Sequence, residues 1–367
     1  MKKDMIIEGN IVDIQNEAVY KGKLTVKDGK IASISKGEVV KIDSPGPFIM
    51  PGLIDGHIHI EDTLLHPCEF ARLVVGHGTV AAVCDPHEIG NVMGIPGVEY
   101  MIEQSKKSPL KFFYGAPSCV PATDFETSGA TLGPKEVKKL LSSPDIYFLG
   151  EFMRFPEVIA RAPYDMEKIA AAKEAGKPID GHAPGVVGTD ADKYIAAGIT
   201  TDHECTEIAE AREKIKKGMK IIVREGSAAH NMAALYPLID EYPLQVMLCT
   251  DDCHPDDLYY KGHMDHVART ALGHGCKLFN VLRAATFNTV AHYRLPVGLL
   301  KVGDPADFII VNSLLKLDVL QTYIKGTLVY DKQNAIYPSI VPEIVNNFNI
   351  GPIKEEDVVV PSIFMYS

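Results

Sequence analysis

The sequence predicts an α/β protein with a (β/α)8 barrel of the TIM type and a small β-sandwich domain built from both chain ends. The first observation is that short apolar strands alternate with helical patterns over residues 51–296. The second is that these strands number eight, which is the count of a closed barrel. The third is that strand-rich segments with tight turns flank this region on both sides.

Three parts of the chain follow from these observations. Residues 1–50 and 297–335 are predicted to form the small β-sandwich domain, and residues 51–296 the (β/α)8 barrel. The last part, 336–367, has few periodic features and is predicted to be an irregular C-terminal tail.

The flanking segments are predicted to contain short strands and hairpins. Residues 5–14 and 24–35 are rich in β-forming side chains, and the Lys-Asp-Gly-Lys sequence at 27–30 is a hairpin turn signal. Residues 298–312 and 322–330 have the same character near the other end. Since neither flank is large enough to stand alone, we expect one β-domain assembled from both.

The middle region predicts the barrel strands in order, each an apolar run followed by polar or helical residues. The predicted strands are 53–60, 79–84, 111–115, 146–151, 178–181, 200–203, 220–223 and 244–250. The clearest helical patterns are 67–75, 166–175, 190–197, 208–217 and 264–272.

Composition and charge exclude several classes of function. The chain has 367 residues, 46% hydrophobic and 23% charged, which is typical of a globular protein. Its 37 basic and 48 acidic residues give a net charge of −11, which argues against nucleic-acid and anionic-membrane partners. No apolar run approaches the roughly 18 residues of a membrane helix, and Asp4 and Glu8 interrupt the apolar start, unlike a signal peptide. The seven Cys are scattered without a CxxC pair, so we predict reduced thiols in a cytoplasmic protein.

Two histidines end the first predicted barrel strand, in the segment DGHIH at 55–59. The two-residue period of a strand places His57 and His59 on the same face, both towards the barrel mouth. Two imidazoles so close together are natural ligands for one divalent cation.

Residues that can bind metal recur at later strand ends. Glu151, His182, His203 and the pair Asp251 and Asp252 each stand where an apolar strand gives way to a loop. Barrel enzymes assemble their sites at these positions. We therefore expect the side chains to converge.

This set of histidines and carboxylates can hold two metal ions, with Glu151 bridging them. A two-metal site acidifies a water and polarises the group that is attacked. Mixed nitrogen and oxygen ligands without thiolate suit Zn, Mn or Fe, and ligand type alone does not choose among them. We predict two divalent ions, with Mn put first and Fe or Zn as alternatives.

The segment PGLIDGHIH at 51–59 resembles the opening signature of the amidohydrolase superfamily. More narrowly, further segments resemble the bacterial adenine deaminase family: HIE (59–61), CDPHEIGNV (84–92), DGHAPG (180–185), DHEC (202–205), REGSA (224–228) and CTDDCHPDDL (249–258). The resemblance implies hydrolytic deamination of adenine to hypoxanthine and ammonia, in purine salvage, by a hydroxide that a binuclear metal centre activates. It also implies a small-molecule substrate, and we predict a homodimer.

The resemblance implies a role for each metal-binding residue. His57 and His59 hold the first metal, Asp251 completes its shell, and Glu151 bridges to the second. The second metal is held by His182 and His203. Asp251 is also expected to be catalytic, taking the proton of the hydroxide and returning it to the leaving amine.

Further residues are predicted to bind the purine. Glu88 is the candidate acid that protonates a ring nitrogen, and the alternative is a structural pair with His87, itself a candidate substrate-binding residue. Asp252 is predicted either to bind a ring nitrogen or to cap the following helix. Glu225 is the second candidate acid, with a plain ion pair to Arg224 as the alternative.

The sequence departs from the family in two places. Asp62 stands where the family usually has Ser, and the family usually continues into a substantial C-terminal domain that this chain, ending at Ser367, is expected to lack.

Two other functions remain open from the sequence. One is a related hydrolase of a cyclic amide or N-acyl substrate, resembling dihydroorotase or a deacetylase, and the other is a non-catalytic binding paralogue. Anionic substrates need cationic loop residues, and the candidates are only Arg154, Arg161 and Arg224, which favours a neutral base.

Overall fold

The structure is a computed structural model that describes residues 4–332, 334–345, 347 and 349–359. Its strands in chain order are β1 (Met5–Asp13), β2 (Ala18–Lys27), β3 (Lys30–Val40), β4 (Phe48–Pro51), β5 (Leu53–Ile58), β6 (Thr79–Cys84), β7 (Lys111–Ala116), β8 (Ile146–Phe152), β9 (Ile179–Gly181), β10 (Thr201–Asp202), β11 (Lys220–Arg224), β12 (Val246–Cys249), β13 (Phe308–Val311), β14 (Val319–Ile324), β15 (Thr327–Asp331) and β16 (Asn334–Ala335).

The helices lie mainly between and after the strands of the middle region. In chain order they are α1 (Pro67–Val74), α2 (His87–Met93), α3 (Ile95–Ser105), α4 (Pro134–Leu141), α5 (Phe155–Ile159), α6 (Pro163–Glu174), α7 (Gly188–Ala196), α8 (Ile208–Lys216), α9 (Met232–Leu235), α10 (Pro237–Glu241), α11 (Pro255–Tyr260), α12 (Met264–Gly273), α13 (Leu278–Ala284), α14 (Phe287–Tyr293) and α15 (Glu355–Val358). Single turns of 3-10 helix lie at Glu61–Thr63 and Val75–His77. Within the described part of the chain, no helix has both the length and the apolar character to cross a membrane.

Strands from both chain ends form one mixed sheet in the order β16-β15-β14-β13-β4-β1-β2-β3. Neighbours pair antiparallel except β1 and β4, which pair parallel. Asp28 (φ 50°) and Gly29 (φ 77°) join β2 to β3, and Lys325 (φ 48°) and Gly326 (φ 71°) join β14 to β15. Two successive left-handed residues match the twist of a two-residue hairpin, so the turn predicted at 27–30 is confirmed.

The middle region forms two parallel sheets, β5-β6-β7-β8-β9 and β10-β11-β12. The sheets meet at both edges, because the Thr200 amide donates to the Ile179 carbonyl and the Asp251 amide to the His57 carbonyl, both at 2.9 Å. Strands β5, β6 and β12 are buried along their whole length, as expected of parallel strands covered on both faces. The predicted α/β class, with a curled parallel sheet, is therefore confirmed.

All eight strands predicted in the middle region are present, and their ends differ by a few residues. β6 occupies the predicted residues 79–84, whereas β10 keeps two of the four predicted residues. Thr200, just before β10, still donates to Ile179 and accepts from the Lys220 amide at 2.9 Å. The ladder therefore extends one residue beyond the strand.

The five helices predicted from periodicity correspond to α1, α6, α7, α8 and α12. Of the helices that were not predicted, most have seven or fewer residues, which show too little of a 3.6-residue period. The longer helices α3 and α4, with 11 and 8 residues, were also not predicted. One of the short helices matters for the site: α2 begins at His87 and so places Glu88 in its first turn.

The C-terminal segment was predicted to be irregular. Its described residues have little regular structure apart from the single turn α15, and part of the segment packs against α1 and α3. Ser339 Oγ lies 2.5 Å from a Glu69 carboxylate oxygen, and the Tyr100 hydroxyl donates to the Glu343 carbonyl at 2.8 Å.

Candidate metal centre

Six residues that the sequence singled out as metal ligands lie at the carboxyl ends of parallel strands. Five of them are at least 95% buried: His57, His59, Glu151, His203 and Asp251. Parallel strands bring their carboxyl ends to the same edge of the sheet. The six side chains consequently meet in two adjacent groups, and the second contains His182, which is partly exposed.

The first group consists of His57, His59 and Asp251. The two histidine Nε2 atoms lie 3.1 Å apart, and Asp251 Oδ1 is 3.3 Å from His57 Nε2 and 3.2 Å from His59 Nε2. His59 Nδ1 lies 2.9 Å from the Asp85 carbonyl oxygen. Since that contact requires a proton on Nδ1, the lone pair of His59 Nε2 is directed into the group.

The second group consists of Glu151, His182 and His203. Glu151 Oε2 lies 2.6 Å from His182 Nδ1 and 2.9 Å from His203 Nε2. The other oxygen of the same carboxylate, Oε1, is 3.5 Å from His59 Nε2 in the first group. The Glu151 carboxylate therefore lies between the two groups, with one oxygen towards each.

The backbone at Asp251 lies in the left-handed region, with φ 59°, which is uncommon for a residue other than glycine. Hydrogen bonds from neighbouring residues hold it there. The buried Asp55 carboxylate accepts the Thr250 hydroxyl at 2.5 Å and the Thr250 amide at 3.1 Å. The same carboxylate lies 2.9 Å from His263 Nε2. A conformation held by its surroundings in this way is typical of functional sites.

The pKa values of the side chains in the two groups indicate an excess of negative charge there. Burial alone would raise the pKa of Glu151, but hydrogen bonds from His182 and His203 hold that pKa well below its usual range. Burial would lower the pKa of His59, yet the charge of Glu88 and a hydrogen bond to Asp251 raise it well above its usual value. The pKa values of His57 and His182 are raised as well. Protons on these three histidines thus balance the carboxylates, and a divalent cation can replace them.

These residues fit a metal centre. The ligand atoms of His57, His203 and Asp251 lie within 4.8 Å of one another, as do those of Glu151, His182 and His203. Buried Nδ1 atoms of His57 and His203 have no hydrogen-bond partner among the described residues. The donors are imidazole nitrogens and carboxylate oxygens, which suit Mn, Fe or Zn.

Glu88 and His87 lie at the edge of the first group. Glu88 Oε1 is 2.9 Å from His87 Nε2 and 3.5 Å from His59 Nδ1. Burial alone would raise the pKa of Glu88, but the charges of His59 and His87 lower it. Glu88 is therefore paired with His87, which was the structural alternative, and it also touches a candidate metal ligand.

Asp252 lies beside the first group, its ligand atom within 4.8 Å of those of His59 and Asp251. It shares a hydrogen bond with Asp62, and burial, this hydrogen bond and the charge of Glu88 raise the pKa of Asp62 to about 7. The following helix α11 has His254 at its N-cap. The interpretation of Asp252 as the cap of that helix is therefore wrong.

No hydrogen bond or ion pair within the described part of the chain joins Glu225 to the six residues. Its carboxylate lies 3.4 Å from His230 Nδ1. Arg224 was weighed as its ion-pair partner, and that interpretation is wrong. Instead, Arg224 Nη1 donates to Asp251 Oδ2 at 2.7 Å, and its Nη2 donates to Glu204 Oε2 at 3.2 Å.

Sequence reasoning missed Glu204 and assigned no role in the site to Arg224. Glu204 Oε1 lies 3.4 Å from His203 Nε2 and 3.6 Å from His182 Nδ1, so it covers the second group. Both missed residues stand at strand ends, in the segments DHEC and REGSA. Position at a strand end, which identified the metal ligands, could therefore have identified Glu204 and Arg224 as well.

The chain was compared with known proteins. Residues 48–329 match the amidohydrolase family. An adenine deaminase from Methanosarcina mazei is 52% identical over 358 residues, covering 98% of this chain and 63% of that protein. An adenine deaminase from Sulfurovum sp. is 52% identical over 356 residues, covering 97% of this chain and 66% of that protein. This chain thus spans less than two thirds of the length of these curated relatives.

A solved structure shows the same fold. N-acetyl-D-glucosamine-6-phosphate deacetylase from Mycobacterium smegmatis matches 89% of this chain and 100% of its own, with a TM-score of 0.67 and 16% identity. At that identity the likeness concerns the fold alone. Because the family match covers most of the sequence, the chain belongs to the amidohydrolase family.

Proposed function

We propose that the protein is an adenine deaminase, which converts adenine and water to hypoxanthine and ammonia in purine salvage. The observation that carries this proposal is the 52% identity to adenine deaminases along 97–98% of this chain. Those relatives are longer than this chain, so the activity has to be measured on this polypeptide itself.

We propose that the site holds two divalent metal ions, Mn with Fe or Zn as alternatives. His57, His59 and Asp251 would hold one ion, His182 and His203 would hold the other, and Glu151 would bridge them. The division of the two Glu151 oxygens between the groups supports this arrangement. Bound cations of this kind lower the pKa of water and polarise the group that is attacked.

The chain's own residues would move the protons. In the reaction the oxygen of water bonds to C6 of adenine, and the bond from C6 to the amine breaks. Asp251 accepts a proton from water and gives it to the leaving amine. Glu88 is ionised beside His87, so it passes the proton that this pair shares to a ring nitrogen. The pair then takes the second proton of water, so that ammonia carries one proton of the water and hypoxanthine carries the proton that Glu88 delivered.

Other residues would bind the purine ring. The position of Asp252 beside His59 and of His87 beside Glu88 supports hydrogen bonds from both to the ring edge. Glu225 remains the second candidate acid, with less support because its contact is with His230. Arg224 would act as a positioning residue, since it holds the Asp251 oxygen that faces away from the histidines.

A neutral substrate agrees with the charges at the site. Arg224 is neutralised by Asp251 and Glu204. Arg154 pairs with Asp165 and Asp124. An anionic substrate that binds Arg224 or Arg154 would have to displace one of these carboxylates, whereas adenine would not.

We also propose a finer architecture for the two parts of the chain. The hydrogen bonds at both edges of the parallel sheets support a closed (β/α)8 barrel over residues 51–296. A shared apolar core of residues from both chain ends supports a small β-sandwich over 1–50 and 297–335.

The net charge of −11 supports the absence of nucleic-acid and anionic-membrane partners. A homodimer in the cytoplasm remains a prediction.

The substrate is tested with a panel of adenine, adenosine and a cyclic imide. We expect metal-loaded protein to release ammonia from adenine, with hypoxanthine as the product. Adenosine should be turned over at least ~100-fold less efficiently, since ribose would leave buried polar groups unpaired. Loss of adenine absorbance is coupled to ammonia detection, with chelated protein as the control. Hydrolysis of the imide by a protein that leaves adenine unchanged would identify a cyclic amidase instead.

The role of Glu88 is tested by Glu88→Gln. Gln keeps the shape of the side chain but cannot give its proton to the ring, so kcat/KM for adenine should fall by ~10²-fold or more. Metal content should be unchanged, because Glu88 is not among the proposed ligands. Glu99→Gln, an exposed position on α3, is the matched control. Equal kcat/KM in the two variants would assign Glu88 a structural role only.

A further inference from the structure

A cavity of about 510 Å³ lies at the seam between the mixed sheet and the amino-terminal ends of the parallel strands. Its lining includes Leu110 and Lys111 at the start of β7, and Pro296 and Pro305. The candidate metal centre stands at the opposite, carboxyl ends of the strands, and none of its residues lines this cavity. The volume lies within the range of small-molecule sites.

The walls of the cavity are suited to a planar ring. Phe112, Phe113 and Tyr147 line it together with prolines. Phe113 and Tyr147 pack edge to face at 4.8 Å, which fixes the orientation of the Tyr147 ring. Tyr147 remains partly exposed, so its ring can be contacted from the cavity. Phe112 points to the opposite face of β7 from Phe113 and packs against Phe70 and Tyr114.

The charged groups of the lining are four lysines and one aspartate, on a chain whose net charge is −11. Lys111 is buried and paired with Asp307. Lys106 pairs with Glu103 and Asp145, which are both exposed. In contrast, no ion pair of Lys30 or Lys325 is found within the described part of the chain. Lys30 and Lys325 thus carry positive charge without an ion-pair partner among the described residues, and Asp28 is the one carboxylate of the lining.

The two hairpin turns described above place Lys30 and Lys325 together. The Ala306 amide donates to the Gly29 carbonyl and the Gly326 amide to the Ala306 carbonyl, both at 2.9 Å. The turns are so close that a Cβ added at Gly326 would lie 2.9 Å from the Gly29 Cα. Both lysines are therefore held at one mouth by ordered backbone.

We propose that this cavity binds a phosphate monoester that carries a planar aromatic ring, the chemistry of a nucleoside monophosphate. The ring packs against Tyr147, and the phosphate lies between the ammonium groups of Lys30 and Lys325. Lysine binds phosphate as a point charge, and aromatic side chains stack on any nucleobase.

The proposal is tested by isothermal titration calorimetry of the metal-loaded full chain with AMP, adenosine and inorganic phosphate. We expect one AMP per chain, with adenosine and phosphate each bound at least tenfold more weakly. Lys30→Gln combined with Lys325→Gln should weaken AMP binding at least tenfold. The matched control, Lys41→Gln with Lys135→Gln, removes two exposed lysines that do not line the cavity and should stay within twofold.

Calorimetry needs no turnover, so the result is independent of the deaminase proposal. AMP bound equally by the paired variant and the control would lie elsewhere, for example at the metal centre, and would overturn the proposal. Failure of AMP to bind would do the same. Phosphate bound as tightly as AMP would exclude the aromatic part of the site. Circular dichroism of both variants verifies that they are folded.

Discussion

Replacement of Glu151 by Ala is expected to release bound metal and to abolish activity, while the fold remains. Glu151 is the residue shared by the two groups, with Oε1 3.5 Å from His59 Nε2 and Oε2 2.6 Å from His182 Nδ1. Its removal therefore takes one ligand from each proposed metal ion. It also leaves the four histidines with one carboxylate fewer, so that less negative charge is present to attract a divalent cation.

The measurement is the metal content of purified protein after loading and gel filtration, together with ammonia release from adenine. Wild type should retain about two equivalents of metal and the variant less than half of that, with activity below detection. Glu167→Ala, an exposed glutamate on α6, is the matched control. His57→Ala should behave as Glu151→Ala does. Circular dichroism separates metal loss from unfolding, and full occupancy in both variants would refute the proposed ligand set.

Asp251→Asn is expected to lower kcat by ~10²–10⁴-fold, the contribution of a positioned proton-transfer group. Asn has nearly the volume of Asp, so packing changes little, but its amide cannot accept and return a proton. In wild type the roles of the two oxygens are divided, with Oδ1 facing His57 and His59 and Oδ2 bound to Arg224 at 2.7 Å. The substitution leaves this geometry largely in place while removing the base.

Because Asp251 is also a proposed ligand, kcat is measured at saturating metal and divided by the metal bound. Asp256→Asn, an exposed position on α11, provides the matched control. If the metal-normalised rate of Asp251→Asn stays within threefold of wild type, the proton is moved by another residue. Loss of metal without loss of the normalised rate would leave Asp251 the role of ligand only.

Local sequence patterns were sufficient where one residue type has one structural consequence. A run of five apolar residues, 80–84, predicted β6, since continuous apolar runs are typical of strands covered on both faces. The Asp28-Gly29 pair predicted its hairpin because few other residues adopt the left-handed conformation at two successive positions. Helix α2, with seven residues, was missed because so short a segment shows little periodicity.

The sequence predicted which residues form the candidate site, but not which of them form hydrogen bonds with one another. Strand-end position singled out the six candidate ligands, because the ends of parallel strands meet whatever the loops do. The same argument could not show that Arg224 turns to Asp251 and Glu204 instead of its neighbour Glu225. Adjacent residues in a strand point to opposite faces, so sequence proximity was misleading there.

The sequence by itself determined the α/β class, the succession of strands along the middle region and the residue types at the carboxyl ends of those strands. Each of these depends on local propensity or on the alternation of side chains along a strand. Only the tertiary structure decided that Glu151 stands between two histidine groups, that Arg224 holds one oxygen of Asp251, and that Glu88 pairs with both His59 and His87. These contacts join residues tens of positions apart in most cases. Their geometry follows from the curvature of the whole sheet, which no local pattern encodes.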